Sequence, residues 1–310
     1  MKNILLPIKY VKDKKGSSSI ILLFMITVII GLMTLTVDAG LLYLEKSKLQ
    51  NTVDSVALAA VSVYEEGQEK MLEEAYKYSN FNGVPPEELT IDIQESNRKV
   101  TVNSNKSVSL YFAKIFSISS ADVGAKATAV TGPVAAMKGI RPFGVEDQEF
   151  IYGETYTLKN GGGGGTTGNY GAIALGGTGS STYRNNLING YNVHALKVGD
   201  EIETETGNMD GSTFDGISEL LGSDFHEHGE DLSQLEVDCP RLIKIPVIDS
   251  FSISGRSTVK IVGFAAFFLD NVVKENGKTE ITGRFIKIIG EGVIDETGVG
   301  YGLFGTKLVE

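Results

Sequence analysis

Ser17 to Val37 reads SSSIILLFMITVIIGLMTLTV, 21 consecutive residues without a charge. At a rise of about 1.5 Å per residue this run is roughly 30 Å long as a helix, the thickness of a bilayer's hydrocarbon core. It reads as one membrane-spanning helix that stays in the mature chain. A cleaved signal peptide needs a shorter apolar region followed by small residues. Leu35-Thr36-Val37-Asp38-Ala39-Gly40 offers only a weak site of that kind, and the helical pattern runs on past it.

The flanks set an expected orientation. Lys2, Lys9, Lys12, Lys14 and Lys15 precede the span with only Asp13 against them, and cytoplasmic ends are the ones rich in Lys and Arg. The amino terminus is expected in the cytoplasm and everything after Asp38 outside it. Of 28 basic and 39 acidic side chains, five and one precede the span, which leaves 23 and 38 beyond it and a formal charge of −15. Nucleic acid is a poor partner for such a surface, because its affinity comes from Lys and Arg on phosphates. The single cysteine, Cys239, excludes an internal disulfide, so the outer portion must rest on ordinary cores. It is long enough for one or two of them.

From Leu42 the apolar residues Leu42, Leu49, Val53, Val56, Ala60 and Val63 share one side of a helix, with Lys46, Lys48, Gln50, Asn51, Asp54 and Ser55 on the other. The span is expected to continue as a helix to about Tyr64. A second helical piece through Met71, Leu72 and Ala75 should end at Asn82-Gly83 and Pro85-Pro86. The stripe suits either the strands that follow or other subunits, since an anchor helix with an apolar extension is a device for coaxial assembly. Leu42, Leu49, Val53, Val56 and Ala60 are the residues expected to pack against a partner. Next, Leu89–Ile93 and Val100–Val102 alternate with period two around a turn at Glu95–Arg98, which makes a hairpin. Val108–Phe116 is a short amphipathic segment, and Val123–Val130 a returning strand rich in small residues.

Lys15-Gly16-Ser17, the apolar run, Val37-Asp38-Ala39-Gly40-Leu41-Leu42-Tyr43 and Lys48 to Ala60 together resemble the amino-terminal region of TadG-like proteins of the Flp (Tad) pilus-assembly system. The pattern VDxGxxYxxxxxLQxxxDxxxLAA is matched nearly throughout. With the hairpin and the strand Ala125-Lys126-Ala127-Thr128-Ala129, the likeness to the TadE/TadG group covers roughly residues 14 to 131. The resemblance implies an accessory envelope component of a pilus or secretion machine, with pilins or other pilus-assembly subunits as partners. Two family features are missing. Ile21 stands where a processed pilin carries glutamate after its cleavage glycine, which favours an uncut anchor. Asp249-Ser250-Phe251-Ser252-Ile253 has its serines out of register with the metal motif of a von Willebrand factor type A domain, so metal-dependent adhesion is not implied.

Turn residues at Thr131-Gly132-Pro133 suggest a boundary. Beyond it, strand-like runs at Phe150–Leu158, Gly171–Leu175, Tyr191–Val198, Arg241–Ile248, Thr258–Leu269 and Glu280–Ile289, with one helix at Phe214–Leu221, suggest a β-rich sandwich or barrel. Five glycines at 161–165 form a flexible loop.

Chemistry-bearing residues are few. His226, His228, Glu230 and Cys239 lie close in sequence and are of types that hold zinc, yet a solvated acidic loop accounts for them more simply. A Cys239–His194 nucleophile pair lacks an orienting third group, and His194, between Val193 and Ala195, fits the face of a strand. Gly300-Tyr301-Gly302-Leu303-Phe304-Gly305 satisfies the GxGxxG string, but too few residues follow for the helix that receives a pyrophosphate. Gly277-Lys278-Thr279 lacks the earlier glycine of a phosphate loop, Val272 standing in its place. Asp200, Glu201, Glu203 and Glu205 are of the kind that attract calcium, though their alternation suits an exposed strand face.

The expectation is therefore an α+β protein with four parts: a cytoplasmic basic segment (1–16), a transmembrane helix (17–37), a pilin-like helix with a small antiparallel sheet (38–131) and a β-rich extracytoplasmic domain (132–310). Its expected role is non-enzymatic association at the cell membrane, with no catalytic, cofactor or metal residues assigned. The alternatives from other classes are a surface adhesin using the Gly161–Gly190 loops and a hydrolase in the β-rich domain.

Overall fold

The computed structural model describes residues 15–160, 169–205, 209–229, 232, 235, 238–250 and 257–309. Most of the basic segment 1–16 and the glycine run 161–165 lie outside these residues. Lys15–Ser62 is one unbroken α-helix, α1. Its apolar side chains from Ile20 to Met33 all face outward, and it is long and apolar enough to cross a membrane. From Asp38 onward one side of α1 turns into the protein. Gly67, at a positive φ, reverses the chain into α2 (Gln68–Phe81), which lays Met71, Ala75 and Ser79 back against α1 at the i, i+4, i+8 spacing of one helical face. Asn82-Gly83 and the two prolines end it as expected.

The hairpin forms as read. β1 (Leu89–Gln94) and β2 (Lys99–Ser109) pair antiparallel around a single turn at Glu95–Asn97. β3 (Ser120–Met137) then returns beside β2 along its whole length. Ala125, Ala127 and Ala129 alternate onto the face of β3 that meets α1. Their small size lets the helix seat closely on the sheet, with Val100 and Val102 of β2 beside them. Gln50 Nε2 donates to the Lys126 carbonyl at 2.8 Å, and Lys46 donates to the Gly124 carbonyl, which fixes the height of α1 along β3.

The expected turn at Thr131-Gly132-Pro133 is absent, because β3 runs straight through it. Thr131 N–H donates to the Arg98 carbonyl on the β2 side, so the missing N–H of Pro133, two residues on, falls just past the end of β2. No strand requires it there. Past this point β3 carries the outer portion, whose elements are β4 (Phe143–Glu146), β5 (Thr155–Asn160), β6 (Asn169–Ala172), α3 (Ser180–Asn189), β7 (Leu196–Lys197), β8 (Glu201–Glu203), α4 (Asp210–Ser223), β9 (Leu242–Ile248), β10 (Thr258–Glu275), β11 (Lys278–Ile286), β12 (Ile288–Ile289), β13 (Val293–Ile294) and β14 (Leu303–Val309). The last of these pairs antiparallel with β3 from Phe304–Pro133 to Val309–Thr128. The first sheet thus runs β1-β2-β3-β14-β12, and its fourth strand comes from the end of the chain.

The second sheet curls until its pairings close in the order β11-β5-β6-β4-β9-β10 and back to β11, with β8 beside β10. Of the two architectures expected, sandwich or barrel, this is barrel-like. Alternation explains how it is filled. Along β10, Ala265, Phe267 and Leu269 point into the curl, while Phe264, Ala266 and Phe268 join a second core with Val134 and Met137 of β3 and Leu303 of β14. Asn276-Gly277, both at positive φ, make the two-residue turn between Glu275 and Lys278. Helix α3 was missed as a helix, since Tyr183 and Leu187 are the apolar positions it buries in a polar, glycine-flanked stretch. It seats on α4 where Gly216 leaves room, a Cβ there coming within 2.6 Å of Leu187. β5 starts later than read because Gly153, at positive φ, turns the chain first and donates to the Phe285 carbonyl.

Phe285 stacks on Phe150 at 4.0 Å between centroids and meets Tyr156 and Phe267 edge-on at 4.9 and 4.8 Å. Phe285→Ala should destabilise the outer portion by about 3–5 kcal/mol. Denaturant unfolding of the solubilised chain, followed by near-ultraviolet circular dichroism, checks this. A loss under about 1 kcal/mol would mean the site collapses around the cavity.

Candidate functional site

Of the five residues expected to pack on a partner, Leu49, Val53, Val56 and Ala60 are buried in the chain's own core, under β2, β3 and α2, and Leu42 is half-buried at the lower end of the same stripe. Periodicity reports that something apolar covers a helix face without saying which chain supplies it. Here the chain's own sheet does, and a partner would have to displace that sheet to reach them. The side of α1 that stays open carries Val37, Gly40, Tyr43, Leu44, Ser47 and Asn51.

Just above the apolar run, Asp38 is buried and ties the helix to the hairpin between β2 and β3. Its Oδ1 accepts the Tyr111 N–H at 3.0 Å, and its Oδ2 accepts those of Phe112 and Ala113 at 3.1 and 2.7 Å. These donors open the 3-10 turn Ala113–Phe116, so the carboxylate occupies an anion position at a helical amino end, supplied by another element. Burial works against the charge, but the three N–H groups outweigh it and hold the carboxyl below its usual range. Sequence reasoning placed Asp38 in a family pattern without seeing this role. An acid directly after a long uncharged run was the available signal.

In the outer portion, Asp224 gathers the other charged cluster. Its shielded carboxylate lies 2.6 Å from His228 Nε2, 3.1 Å from His226 Nδ1 and 2.8 Å from Arg241 Nε, the last an ion pair rather than an aligned hydrogen bond. Cys239 Sγ is 3.7 Å from the same His228 Nε2. Asp224, His228 and Cys239 each bring one ligand atom within 4.8 Å of the others, a donor set of the types zinc accepts. Arg241 already pairs with the carboxylate, and the cluster ties the segment after α4 to the residues just before β9. Glu230, expected beside these histidines, lies outside the described residues. A cysteine nucleophile needs one imidazole nitrogen on the thiol and the other on the orienting acid; here a single nitrogen faces both. Burial also pushes the thiol pKa up, away from the reactive thiolate.

His194 is not on a strand face. It sits exposed in a bend before β7, its Nδ1 2.9 Å from Tyr191 Oη. The two line an open groove of about 800 Å³ together with Lys197, Asp200 and Glu203. Glu205, read as part of an exposed acidic row, is buried and accepts the Gly179 N–H at 3.0 Å, while Glu201 and Glu203 are exposed on β8 as expected. Thr279 of the phosphate-loop-like string is buried and donates its N–H to Asp210 Oδ1 at 3.0 Å, so the string is a hairpin end tied to α4. Gly300–Gly305 leads into strand β14 and not into a helix. In Asp249–Ile253, Asp249 Oδ1 accepts the Lys260 N–H at 3.0 Å, and Phe251 to Ile253 lie outside the described residues.

Two outcomes follow from these geometries. Replacing Asp38 by Ala should speed amide hydrogen exchange at Tyr111–Ala113 by on the order of tenfold or more while leaving the β3 core protected; unchanged exchange would remove Asp38 as the tie. Burial raises the Asp224 pKa, yet the His226 N–H and the two imidazoles bring it down to about 2. A depressed carboxyl stabilises the fold above its unfolded value and loses that contribution as pH falls through the folded one. Protection of the segment after α4 should therefore decay between about pH 4 and pH 2, and Asp224→Asn should abolish that step.

Comparison with curated proteins returned no match, and comparison with solved structures returned none. A family model does match, and it coincides with α1: residues 16–63 are similar to the family described as putative Flp pilus-assembly TadE/G-like.

Proposed function

We propose that this protein is a single-pass, membrane-anchored accessory component of Flp/Tad-type pilus assembly or a related secretion machine, acting by protein association and not by catalysis. The observation that carries the reading is the coincidence of the TadE/G-like match at 16–63 with one continuous helix, apolar and outward-facing from Ile20 to Met33 and seated on its own sheet above Asp38. The basic residues before the span favour an amino terminus in the cytoplasm and the sheets outside. In that arrangement the anchor fixes the protein at the outer leaflet, and β3 carries the outer portion away from the membrane.

The partner face is the open side of α1, where Tyr43 and Leu44 are exposed and Gly40 has nothing within 4 Å of a Cβ position. A small residue beside exposed apolar ones allows another helix to approach closely both within the bilayer and just above it. Pilins and other anchored assembly subunits, themselves helical at the membrane, are the partners this face suits.

In-cell photocrosslinking separates the faces. Probes at Tyr43 and Leu44 should capture anchored pilus-assembly subunits, and probes at Val53 and Val56 should capture none. Abundant protein with no anchored partner from Tyr43 or Leu44 would count against assembly and turn attention to the groove beside His194.

A further inference from the structure

The hairpin between β2 and β3 ends in an apolar tip that the protein itself does not cover. Leu110 is buried and its N–H closes the tip by donating to the Ser119 carbonyl at 2.9 Å. Between them Tyr111, Ile115, Phe116 and Ile118 are 70, 69, 65 and 53 % exposed. Such a cluster is unusual on a water-facing turn, where polar residues dominate. It is held rigidly. Asp38 takes the N–H groups of Tyr111, Phe112 and Ala113, Ile118 N–H donates to the Ala113 carbonyl at 3.2 Å, and Ser117 adopts a left-handed conformation that turns the chain back.

The height of this tip is set by the helix that holds it. Asp38 is the first charged residue after the uncharged run, so its carboxylate marks the level at which hydrocarbon gives way to headgroups. β2 and β3 run alongside α1, and their turn is fastened at that level. Its exposed apolar side chains are three aromatics, with Phe112 the least exposed at 37 %, and two isoleucines, with Lys114 as the lone charge. Aromatic rings favour the interface, and a lysine there suits anionic headgroups.

We infer that residues 110–119 form a second membrane contact, a wedge that enters the interfacial layer of the same leaflet from which α1 emerges. This rests on the reading of α1 as a membrane span. With a helix and a wedge joined through Asp38, the sheet gains two points of attachment to the bilayer. The tilt and rotation of the stalk are then fixed, and the open face of α1 is presented in one direction.

The chain contains no tryptophan, so single substitutions give clean reporters. The full-length protein carrying Phe116→Trp, and separately Ile115→Trp, is reconstituted into phosphatidylethanolamine/phosphatidylglycerol vesicles whose acyl chains are brominated either near the headgroup or at mid-chain. Phe24→Trp reports the span, and Phe225→Trp, at a position 91 % exposed in the outer portion, reports bulk water. The expected result is quenching of the Phe116→Trp and Ile115→Trp variants by at least on the order of twofold with shallow bromine and less with deep bromine, as an interfacial position requires. The Phe24→Trp variant should be quenched and the Phe225→Trp variant unaffected. Quenching of Phe24→Trp with neither tip variant quenched overturns the wedge and leaves the anchor standing. Failure to quench Phe24→Trp removes the anchor and the wedge together. A blue-shifted but unquenched tip reporter means that protein covers the tip, which also overturns the inference.

Discussion

The 18-residue strand β3 is the constraint on which the other elements depend. Its lower half offers alanines to α1 and pairs with β2. Its upper half enters the second core with Val134 and Met137 and pairs with β7, β13 and β14. One continuous strand thus links the core under α1 to the core against the curled sheet, and β14 pairs along it across the join. Arg98, at the end of the β1–β2 turn, lies over the rings of both Tyr64 and Phe304 at 5.9 and 5.4 Å. Lys287 pairs with Glu65 at 2.7 Å. The break in the strand pattern that turn residues at Thr131-Gly132-Pro133 suggested does not occur, because β3 and β14 stay paired across it.

Burial on two faces explains why the outer portion needs no disulfide. Strands β9 and β10 send alternate residues to opposite cores, one inside the curl and one against β3 and β14. Aromatic residues do much of the filling, and Tyr170 and Tyr183, fully shielded by it, have their hydroxyl pKa values driven upward by burial. Most polar groups in this interior are tied to backbone or to one another, as Thr213 is to Tyr183 and Thr279 to Asp210. The surfaces left open lie along α1 and at the turn between β2 and β3.

The surroundings of α1 change along its length. From Ser17 to Val37 the helix carries no charge, the composition that a lipid-facing segment requires. Above it, one side is taken up by the sheet and the other remains open. Asp38 marks the change in surroundings and fastens the nearest turn of the sheet to the helix at that height. A carboxylate in that position, hydrogen-bonded by three backbone N–H groups, ties the junction to main-chain donors whose placement does not depend on a partner's rotamer.

Elements whose signal is local were legible in the sequence. The uncharged run, the stripe on α1, the α2 stop at Asn82-Gly83, the β1–β2 hairpin and the TadE/G-like pattern could all be read because propensity, turn chemistry and periodicity act over a few residues. Tertiary structure alone decided what covers each apolar face. Leu49, Val53, Val56 and Ala60 carry the same pattern whether a partner or β3 meets them, and only folding brought β3 there. It decided likewise that β14 joins the first sheet and that Pro133 lies within a strand. A pairing between strands so distant in sequence is set by the packing of whole sheets, which no short window of residues records. Asp224 was the part of the His228 and Cys239 cluster that the sequence did not single out, because its role depends on where the segment after α4 comes to rest.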